Sequence, residues 1–175
     1  DVLDKELNEA TRTLRDAGLQ ADSFVADVSV FQKAQDVVEE ILERYESIDV
    51  LVNNAGTPMP KGLLDISEAE WDRTIDVHLK GCFNWSRAVV PSMLKSGAGR
   101  IVNISSISAY SGGVTRAVSK FAYAAAKAGI LGMTRSLAKE LGPSITVNAV
   151  CPGAIKTELT GDMLERRSAE FTEGI

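Results

Sequence analysis

Apolar residues recur at every third or fourth position in several segments of the chain, and this spacing predicts amphipathic helices. Two helices are expected in the first quarter of the chain, over residues 5–17 and 30–45. Gly18 is placed to end the first of them, and Ser29 is placed to cap the second. Both segments are long enough to cover part of a sheet.

Two further helical segments follow later in the chain. Ser67 and Glu70 have the spacing of a capping box, so a long helical region is expected over residues 68–95, with a break near residues 78–81. Residues 121–141 are rich in Ala and Leu and are followed by a Gly-Pro pair, which predicts a helix and its end. The tail beyond residue 157 is also expected to be helical.

Short runs of apolar and β-branched residues lie between the helices and predict buried strands. These runs cover residues 23–26, 48–52, 100–106 and 145–148. Strands that alternate with helices predict an α/β fold with a parallel sheet and right-handed crossovers. We expect residues 1–175 to form a single domain.

Polar and glycine-containing motifs follow each predicted strand. They are Asp27, Asn53–Gly56, Ser105–Ser106 and Pro152–Gly153. In parallel sheets, ligands bind at the carboxyl ends of the strands, so four such ends predict a functional edge. Ordinary turn chemistry is the alternative, because Asn, Gly, Ser and Pro are common wherever strands end.

The predicted helix over residues 121–141 carries Tyr123 and Lys127 four positions apart, which places them on one face. With the serines that end the preceding strand, they would bring a hydroxyl, a phenol and an ammonium together. An ammonium close to a phenol favours the phenolate, so the group suits proton transfer to or from an alcohol oxygen. A surface Tyr and Lys on an ordinary helix is the alternative for this spacing alone.

Composition excludes several classes of function. The net charge of −5 argues against a nucleic-acid partner, and no apolar run approaches the length of a membrane span. The chain has one histidine and two cysteines, without the clustered His and Cys residues of a metal site, so no metal is expected. We expect Cys82 and Cys151 to be buried free thiols in a reducing compartment, the cytoplasm.

Several motifs, in this order, resemble those of the short-chain dehydrogenase/reductase family. They are Asp27-Val28, Asn53-Asn54-Ala55-Gly56, Ile104-Ser105-Ser106, Tyr123-x-x-x-Lys127, and Pro152-Gly153 followed by Ile155 and Thr157. The resemblance implies a doubly wound, Rossmann-type parallel sheet. It also implies an NAD(P)-dependent oxidoreductase that interconverts a secondary alcohol and a carbonyl. The substrate classes it implies are 3-oxoacyl thioesters, sugars or polyols, and small alcohols.

The resemblance also implies a role for each matching residue. Tyr123 would be the catalytic acid and base, Lys127 would assist it and hold the nicotinamide ribose, and Ser106, rather than Ser105, would orient the substrate oxygen. The remaining cofactor contacts would come from Asp1, Asp27, Val28, Asn53, Ala55, Gly56, Pro152, Gly153, Ile155 and Thr157. Asp1 falls where an acidic residue would bind the adenosine ribose, which favours NAD, with NADP possible.

The chain departs from the family pattern in three places. His78 stands where relatives usually have Asn, and it would either relay protons to Lys127 or simply fill an irregular helix. The loop between Ser106 and Tyr123 is longer than expected, and its Arg116 would meet an anionic substrate or stay solvated. The glycine-rich turn that binds the pyrophosphate in relatives is absent.

That last departure predicts that the sequence is part of a longer chain. In the family's strand order, the strand over residues 23–26 would be separated from the strand over residues 48–52 by a gap of roughly 14 Å. The alternative is a collapsed sheet in which these two strands pair directly.

Association with other copies is also expected. Small residues recur on the predicted helix over residues 121–141, at Ala124, Ala128 and Gly132 and at Ala125 and Gly129, so that a neighbouring helix could approach closely. The resemblance implies a homodimer or homotetramer formed through helices 78–95 and 121–141. The alternative function is a non-catalytic binding or scaffolding subunit, which the missing glycine-rich turn and His78 favour.

Overall fold

The computed structural model describes residues 1–112 and 119–155. The helices in chain order are α1 (Asp4–Asp16), α2 (Phe31–Tyr45), α3 (Glu68–Ile75), a π-helix (Asp76–Lys80), α4 (Gly81–Ser96), α5 (Ser108–Ser111) and α6 (Phe121–Leu141). The predicted helices over residues 5–17, 30–45 and 121–141 are thereby confirmed. The helix predicted beyond residue 157 lies outside the described residues.

Three of the predicted strands form one parallel sheet. They are β1 (Val50–Asn53), β2 (Gly99–Ile104) and β3 (Ile145–Val150), arranged in the order β1-β2-β3. Val50 lies opposite Arg100, and Gly99 lies opposite Ile145, so the carboxyl ends of all three strands meet at one edge. The predicted α/β fold with a parallel sheet is confirmed.

The hydrophobic core lies between the sheet and the helices on one of its faces. Alternation along β2 buries Ile101 and Asn103 and leaves Arg100 exposed, as expected for a strand covered on that face. The central cluster consists of Val38, Val89, Met93, Ile101, Ile145 and Val147. Val89 and Met93 of α4 belong to this cluster, and Leu137, Ala138 and Leu141 of α6 pack against it, so both helices cover the same face of the sheet.

The strand predicted over residues 23–26 is wrong. This segment is extended but forms no ladder with β1, and its backbone bonds run instead to the first residue of the chain. The Ala26 N–H donates to the Asp1 carbonyl at 2.9 Å, and the Asp1 amino group lies 3.4 Å from the Phe24 carbonyl. Apolar composition alone does not make a strand, because a strand also needs a ladder of backbone bonds to a neighbouring strand. The alternative of direct pairing with residues 48–52 is wrong as well.

The predicted break near residues 78–81 takes a different form. The helix does not end there; its hydrogen bonding widens to the π pattern over Asp76–Lys80 and returns to the α pattern at Gly81. The extra residue in this turn keeps α3 and α4 in one continuous helical path. A single π turn inside a helix redirects side chains and is frequent at functional sites. It places His78 inside the protein, 1% exposed.

The predicted capping box at the start of α3 is confirmed, because the Ser67 hydroxyl accepts from the Glu70 N–H and the Glu70 carboxylate accepts from the Ser67 N–H. Replacing Ser67 with Ala should lower the free energy of unfolding by about 1 kcal/mol, since it leaves a helix N–H without its partner. Thermal or denaturant unfolding measures this loss.

The matched control is Thr13→Ala, which removes a hydroxyl from an exposed position inside α1, where Thr13 bonds the Glu9 carbonyl. It should leave stability nearly unchanged. Equal losses in the two variants would contradict a specific role for the cap.

Cys82 and Cys151 are free thiols, the first buried and the second half-buried. Burial raises the pKa of the Cys82 thiol to about 11, so it stays protonated at neutral pH. Across residues 1–112 and 119–155, no helix combines the length and the apolar character that crossing a bilayer requires.

Candidate functional site

The end of β2 and the first turns of α6 are held together by Lys127. Its Nζ donates to the Ile104 carbonyl at 2.6 Å, while the Ser105 hydroxyl donates to the Lys127 carbonyl at 2.7 Å. Lys127 is 4% exposed. The catalytic lysine predicted from sequence therefore lies against the carboxyl end of the central strand, bonded to it in both directions.

Tyr123 lies one helical turn before Lys127, as the four-residue spacing predicts. The Lys127 Nζ lies 5.5 Å from the centroid of the Tyr123 ring. The His78 ring lies on another side of Tyr123, with the two ring centroids 5.1 Å apart and the ring planes at 89°. The structure thus brings together three of the four predicted catalytic residues, from α6 and the π-helix.

The charge on Lys127 is isolated from carboxylates. Burial lowers its pKa, and within the described residues no salt bridge involves it. Its hydrogen bond to a neutral carbonyl satisfies one N–H but supplies no opposite charge. A buried cation of this kind costs folding free energy, and such groups concentrate at functional sites.

His78 is a neutral imidazole at neutral pH. Burial, together with the positive charge of Lys127, lowers its pKa to about 4. The His78 Nε2 lies 2.9 Å from the Thr57 carbonyl oxygen and 3.2 Å from the Thr57 backbone nitrogen, so it donates to the first as the Nε2–H tautomer or accepts from the second as the Nδ1–H tautomer. Among the described residues, Nδ1 has no hydrogen-bond partner. His78 therefore links the π-helix to the loop after β1.

The two serines after β2 make different hydrogen bonds. The Ser105 hydroxyl is used in its bond to the α6 backbone, whereas Ser106 accepts a hydrogen bond from the Ser108 N–H at 3.1 Å. That contact uses an oxygen lone pair of Ser106 and leaves its hydroxyl hydrogen able to be donated. The preference for Ser106 over Ser105 as the substrate-facing serine agrees with this geometry and stays a prediction.

A buried polar network, not foreseen from the sequence, supports the same edge. The Asn53 amide donates to the Asn103 side chain at 2.8 Å, and Asn103 donates to the Thr134 hydroxyl at 2.9 Å. Thr134 in turn donates to the Ile130 carbonyl at 2.7 Å. The network joins β1, β2 and α6. The position of Asn103, two residues before Ser105 on the buried face of β2, is the signal that could have revealed it.

Asn53 therefore contributes its side chain to the interior of the protein. Any contact of this residue with a cofactor would use its backbone, and the same holds at Gly56, which has no side chain. Asn54, Ala55 and Gly56 are exposed at the end of β1, as expected for a ligand-facing loop.

The carboxylate of Asp27 is already bonded within the protein. One oxygen accepts from the Ser29 N–H at 2.9 Å and from the Ser29 hydroxyl, and the other accepts from Arg73 at 2.9 Å. The Ser29 bonds, with Arg73, hold the pKa of Asp27 below its usual value, so it is ionised at neutral pH. Asp27 can still accept a further bond, because each carboxylate oxygen has two lone pairs.

A groove of about 240 Å³ runs beside the free edge of β1. Three of the predicted cofactor residues, Val28, Asn53 and Ala55, line it together with Trp85 and Cys82. Val28 is tied to this region by the bond from the Asn84 amide to its carbonyl, at 2.9 Å. The groove separates Val28 from β1, in agreement with the predicted separation of residues 23–26 from the sheet.

The remaining predicted cofactor residues lie at both ends of the described chain. Asp1 lies beside the segment that leads to Asp27, and its carboxylate accepts from the Val2 and Leu3 N–H groups. Pro152, Gly153 and Ile155 follow β3, and the Pro152 carbonyl accepts from the Ile107 N–H at 3.1 Å. Thr157 and Arg116 lie outside the described residues.

Comparison with protein families and curated proteins agrees with the geometry. A family model described as short chain dehydrogenase matches residues 1–168. The chain is 40% identical over 167 residues to the 3-oxoacyl-acyl-carrier-protein reductase FabG of Thermotoga maritima, covering 95% of this chain and 66% of the relative. The same enzyme of Staphylococcus epidermidis is 36% identical, covering 90% of this chain and 64% of the relative. The chain thus spans slightly less than two thirds of the length of these relatives.

Solved structures show the same similarity. A gluconate 5-dehydrogenase from Burkholderia cenocepacia, in complex with NADP and tartrate, is 30% identical with a TM-score of 0.83, covering 94% of this chain and 64% of that one. An NAD⁺-bound xylitol dehydrogenase is 30% identical with a TM-score of 0.84, covering 95% of this chain and 62% of that one. These likenesses confirm the predicted Rossmann-type α/β fold.

Proposed function

Because the chain belongs to the short-chain dehydrogenase family, we propose that it is an NAD(P)-dependent oxidoreductase that interconverts a secondary alcohol and a carbonyl compound. The main support is the convergence of Tyr123, Lys127 and His78 at the carboxyl edge of the sheet, with His78 and Lys127 each within 6 Å of the Tyr123 ring centroid: 5.1 Å and 5.5 Å. A phenol beside a buried cation is suited to exchange a proton with an alcohol oxygen.

In this proposal the nicotinamide ring supplies or accepts the hydride. Ser106 donates a hydrogen bond to the substrate oxygen and holds it near the phenol of Tyr123. Tyr123 gives that oxygen a proton in reduction and takes one from the alcohol in oxidation. Lys127 keeps a positive charge beside the phenol, fixed in place by its bond to Ile104.

The cofactor would bind at the carboxyl end of β1, where Val28, Asn53 and Ala55 lie around one groove. Asp1 and Asp27 would meet the adenosine half, and Pro152, Gly153, Ile155 and Thr157 the nicotinamide half. Either NAD or NADP is proposed, with Asp1 favouring NAD because a carboxylate repels a 2′-phosphate.

Three substrate classes are proposed: 3-oxoacyl thioesters, sugars or polyols, and small secondary alcohols. The similarity to 3-oxoacyl-acyl-carrier-protein reductases favours the first, and the similarity to gluconate and xylitol dehydrogenases favours the second. The two free thiols favour a reducing compartment, the cytoplasm, as the place where the reaction occurs.

A homodimer or homotetramer through helices 78–95 and 121–141 is part of the proposal. Ala125, Ala128 and Gly132 are exposed on α6, and a Cβ at Gly132 would meet no atom within 4 Å. Gly129, by contrast, packs against Leu79 of its own chain, where a Cβ would lie 2.8 Å from the leucine. The exposed stripe of small residues therefore suits the close approach of a second copy.

A cofactor titration tests the proposed function. The fluorescence of NADH or NADPH should change in a saturable way as purified protein is added. A carbonyl substrate should then oxidise the bound cofactor. The protein with Tyr123 replaced by Phe should still bind the cofactor but turn over poorly, which separates binding from chemistry.

The second candidate, a non-catalytic binding or scaffolding subunit, is favoured by one observation: the Asp27 carboxylate is already bonded to Ser29 and Arg73. It predicts no saturable fluorescence change with either cofactor and no turnover with any of the three substrate classes. That outcome would reject the oxidoreductase proposal.

A further inference from the structure

Gly56 lies against the imidazole of His78. A Cβ added at Gly56 would lie 2.5 Å from the His78 Cε1 and 3.0 Å from its Nδ1, closer than real side-chain carbons approach. The φ angle of Gly56 lies outside the positive region, so an alanine would fit the backbone. Glycine is thus required here for space, and the atom that needs the space belongs to His78.

The same imidazole makes two other contacts. Its Nε2 lies 2.9 Å from the Thr57 carbonyl oxygen and 3.2 Å from the Thr57 nitrogen, so a hydrogen bond in either tautomer holds the loop after β1. Its ring meets the Tyr123 ring at 5.1 Å and 89°, an edge-to-face arrangement that aromatic rings favour. His78 therefore lies between the loop and the phenol and contacts both.

We propose that His78 is a positioning residue that fixes Tyr123 relative to the loop after β1, and that Gly56 is glycine to admit its ring. The reactive role of Tyr123 on which this rests is that of the proposed function. The coupling between Gly56 and His78 is a property of the fold and holds whether or not the protein turns over.

A double-mutant cycle without cofactor tests the coupling. Gly56→Ala should lower Tm by about 5 °C or more in the otherwise unchanged protein, because the added carbon overlaps the imidazole. In a His78→Asn background the same substitution should lower Tm much less, since the shorter side chain leaves room. Gly62→Ala is the matched control and should lose little, because the φ angle of Gly62 is also outside the positive region and an added Cβ would come no closer than 3.4 Å to another side chain. Equal losses from Gly56→Ala in both backgrounds would overturn the steric coupling.

The single histidine of the chain gives a direct spectroscopic readout. Nitrogen-15 NMR of the full chain should show one neutral imidazole at neutral pH. The ring-proton shifts of His78 should be unchanged in Tyr123→Phe, which keeps an aromatic ring, and should move in Tyr123→Leu, which removes it. Shifts that ignore the loss of the Tyr123 ring would overturn the proposal.

Turnover separates positioning from relay. His78→Phe keeps a planar ring beside Tyr123 but cannot carry a proton, whereas His78→Ala removes the ring. Positioning predicts that kcat falls about tenfold or more further in His78→Ala than in His78→Phe, with the KM for cofactor little changed. Equal losses of kcat in the two variants would favour a proton relay through His78 and would overturn the positioning role. Absence of turnover in every variant and in the unchanged protein would reject the proposed function and leave the Tm and NMR results to decide the coupling.

Discussion

Replacing Tyr123 with Phe is expected to lower kcat by about 10²–10⁴-fold, because the phenol hydroxyl is the group that exchanges a proton with the substrate oxygen. The ring itself remains, so its edge-to-face contact with His78 at 5.1 Å and its place beside Lys127 are kept. Stability and cofactor affinity should therefore change little. Steady-state kinetics with a carbonyl substrate measure kcat and the KM for the cofactor, and thermal unfolding measures stability.

The matched control is Tyr45→Phe, which removes a phenol hydroxyl at the end of α2, where Tyr45 donates to Asp22 on the surface. It should leave kcat unchanged. If Tyr123→Phe retained full turnover, the proton would come from elsewhere, and the assignment of Tyr123 as acid and base would be rejected. If it lost both turnover and cofactor binding, Tyr123 would act in binding the cofactor.

Acidification from pH 6.5 to pH 4 is expected to remove about 3 kcal/mol of folding stability through His78 alone. Its pKa is about 4 in the folded protein, against 6.5 for an ordinary histidine, because burial and the charge of Lys127 oppose protonation. The unfolded chain therefore binds a proton over this range that the folded chain does not. The protein therefore starts to lose folding stability as the pH drops through about 6.5, the pKa of His78 in the unfolded chain. The loss is complete below about 4, the pKa of His78 in the folded protein.

Denaturant unfolding at a series of pH values measures this effect. The His78→Asn protein should lose less stability between pH 6.5 and pH 4, since it has no titrating imidazole. Below that range both proteins should weaken in parallel, because Asp27 and Glu70, whose pKa values are lowered in the fold, then become protonated. Identical pH profiles for the two proteins from pH 6.5 to pH 4 would contradict a buried neutral His78.

Local patterns in the sequence predicted the parts of the molecule that depend on nearby residues. The capping box of Ser67 and Glu70 involves groups three positions apart, and the shared face of Tyr123 and Lys127 follows from one helical turn. The strands β1, β2 and β3 were recognisable because each is a short run that contains several β-branched residues. The element that failed depends on its neighbours: the backbone bonds of residues 23–26 run to Asp1 and not to β1, so the segment does not join the sheet.

The candidate site shows the same division. A motif at a strand end predicted Ser106, and helical spacing predicted that Tyr123 and Lys127 share a face, since both patterns are local. The network from Asn53 through Asn103 to Thr134 could not be read in this way, since it joins residues that are 50 and 31 positions apart. The sequence likewise could not show that the Asp27 carboxylate accepts a hydrogen bond from Arg73, which is 46 positions away.

By itself, the sequence determined the order of helices and strands, the residues that can carry proton transfer, and the edge of the sheet where they gather. Each of these follows from backbone periodicity and side-chain chemistry over a few residues. Only the tertiary structure decided what surrounds those residues: the burial that keeps His78 neutral, the 2.6 Å bond that fixes Lys127, and the space beside Gly56 that the imidazole fills. Burial and close contact are set by distant segments, and local pattern carries no record of them.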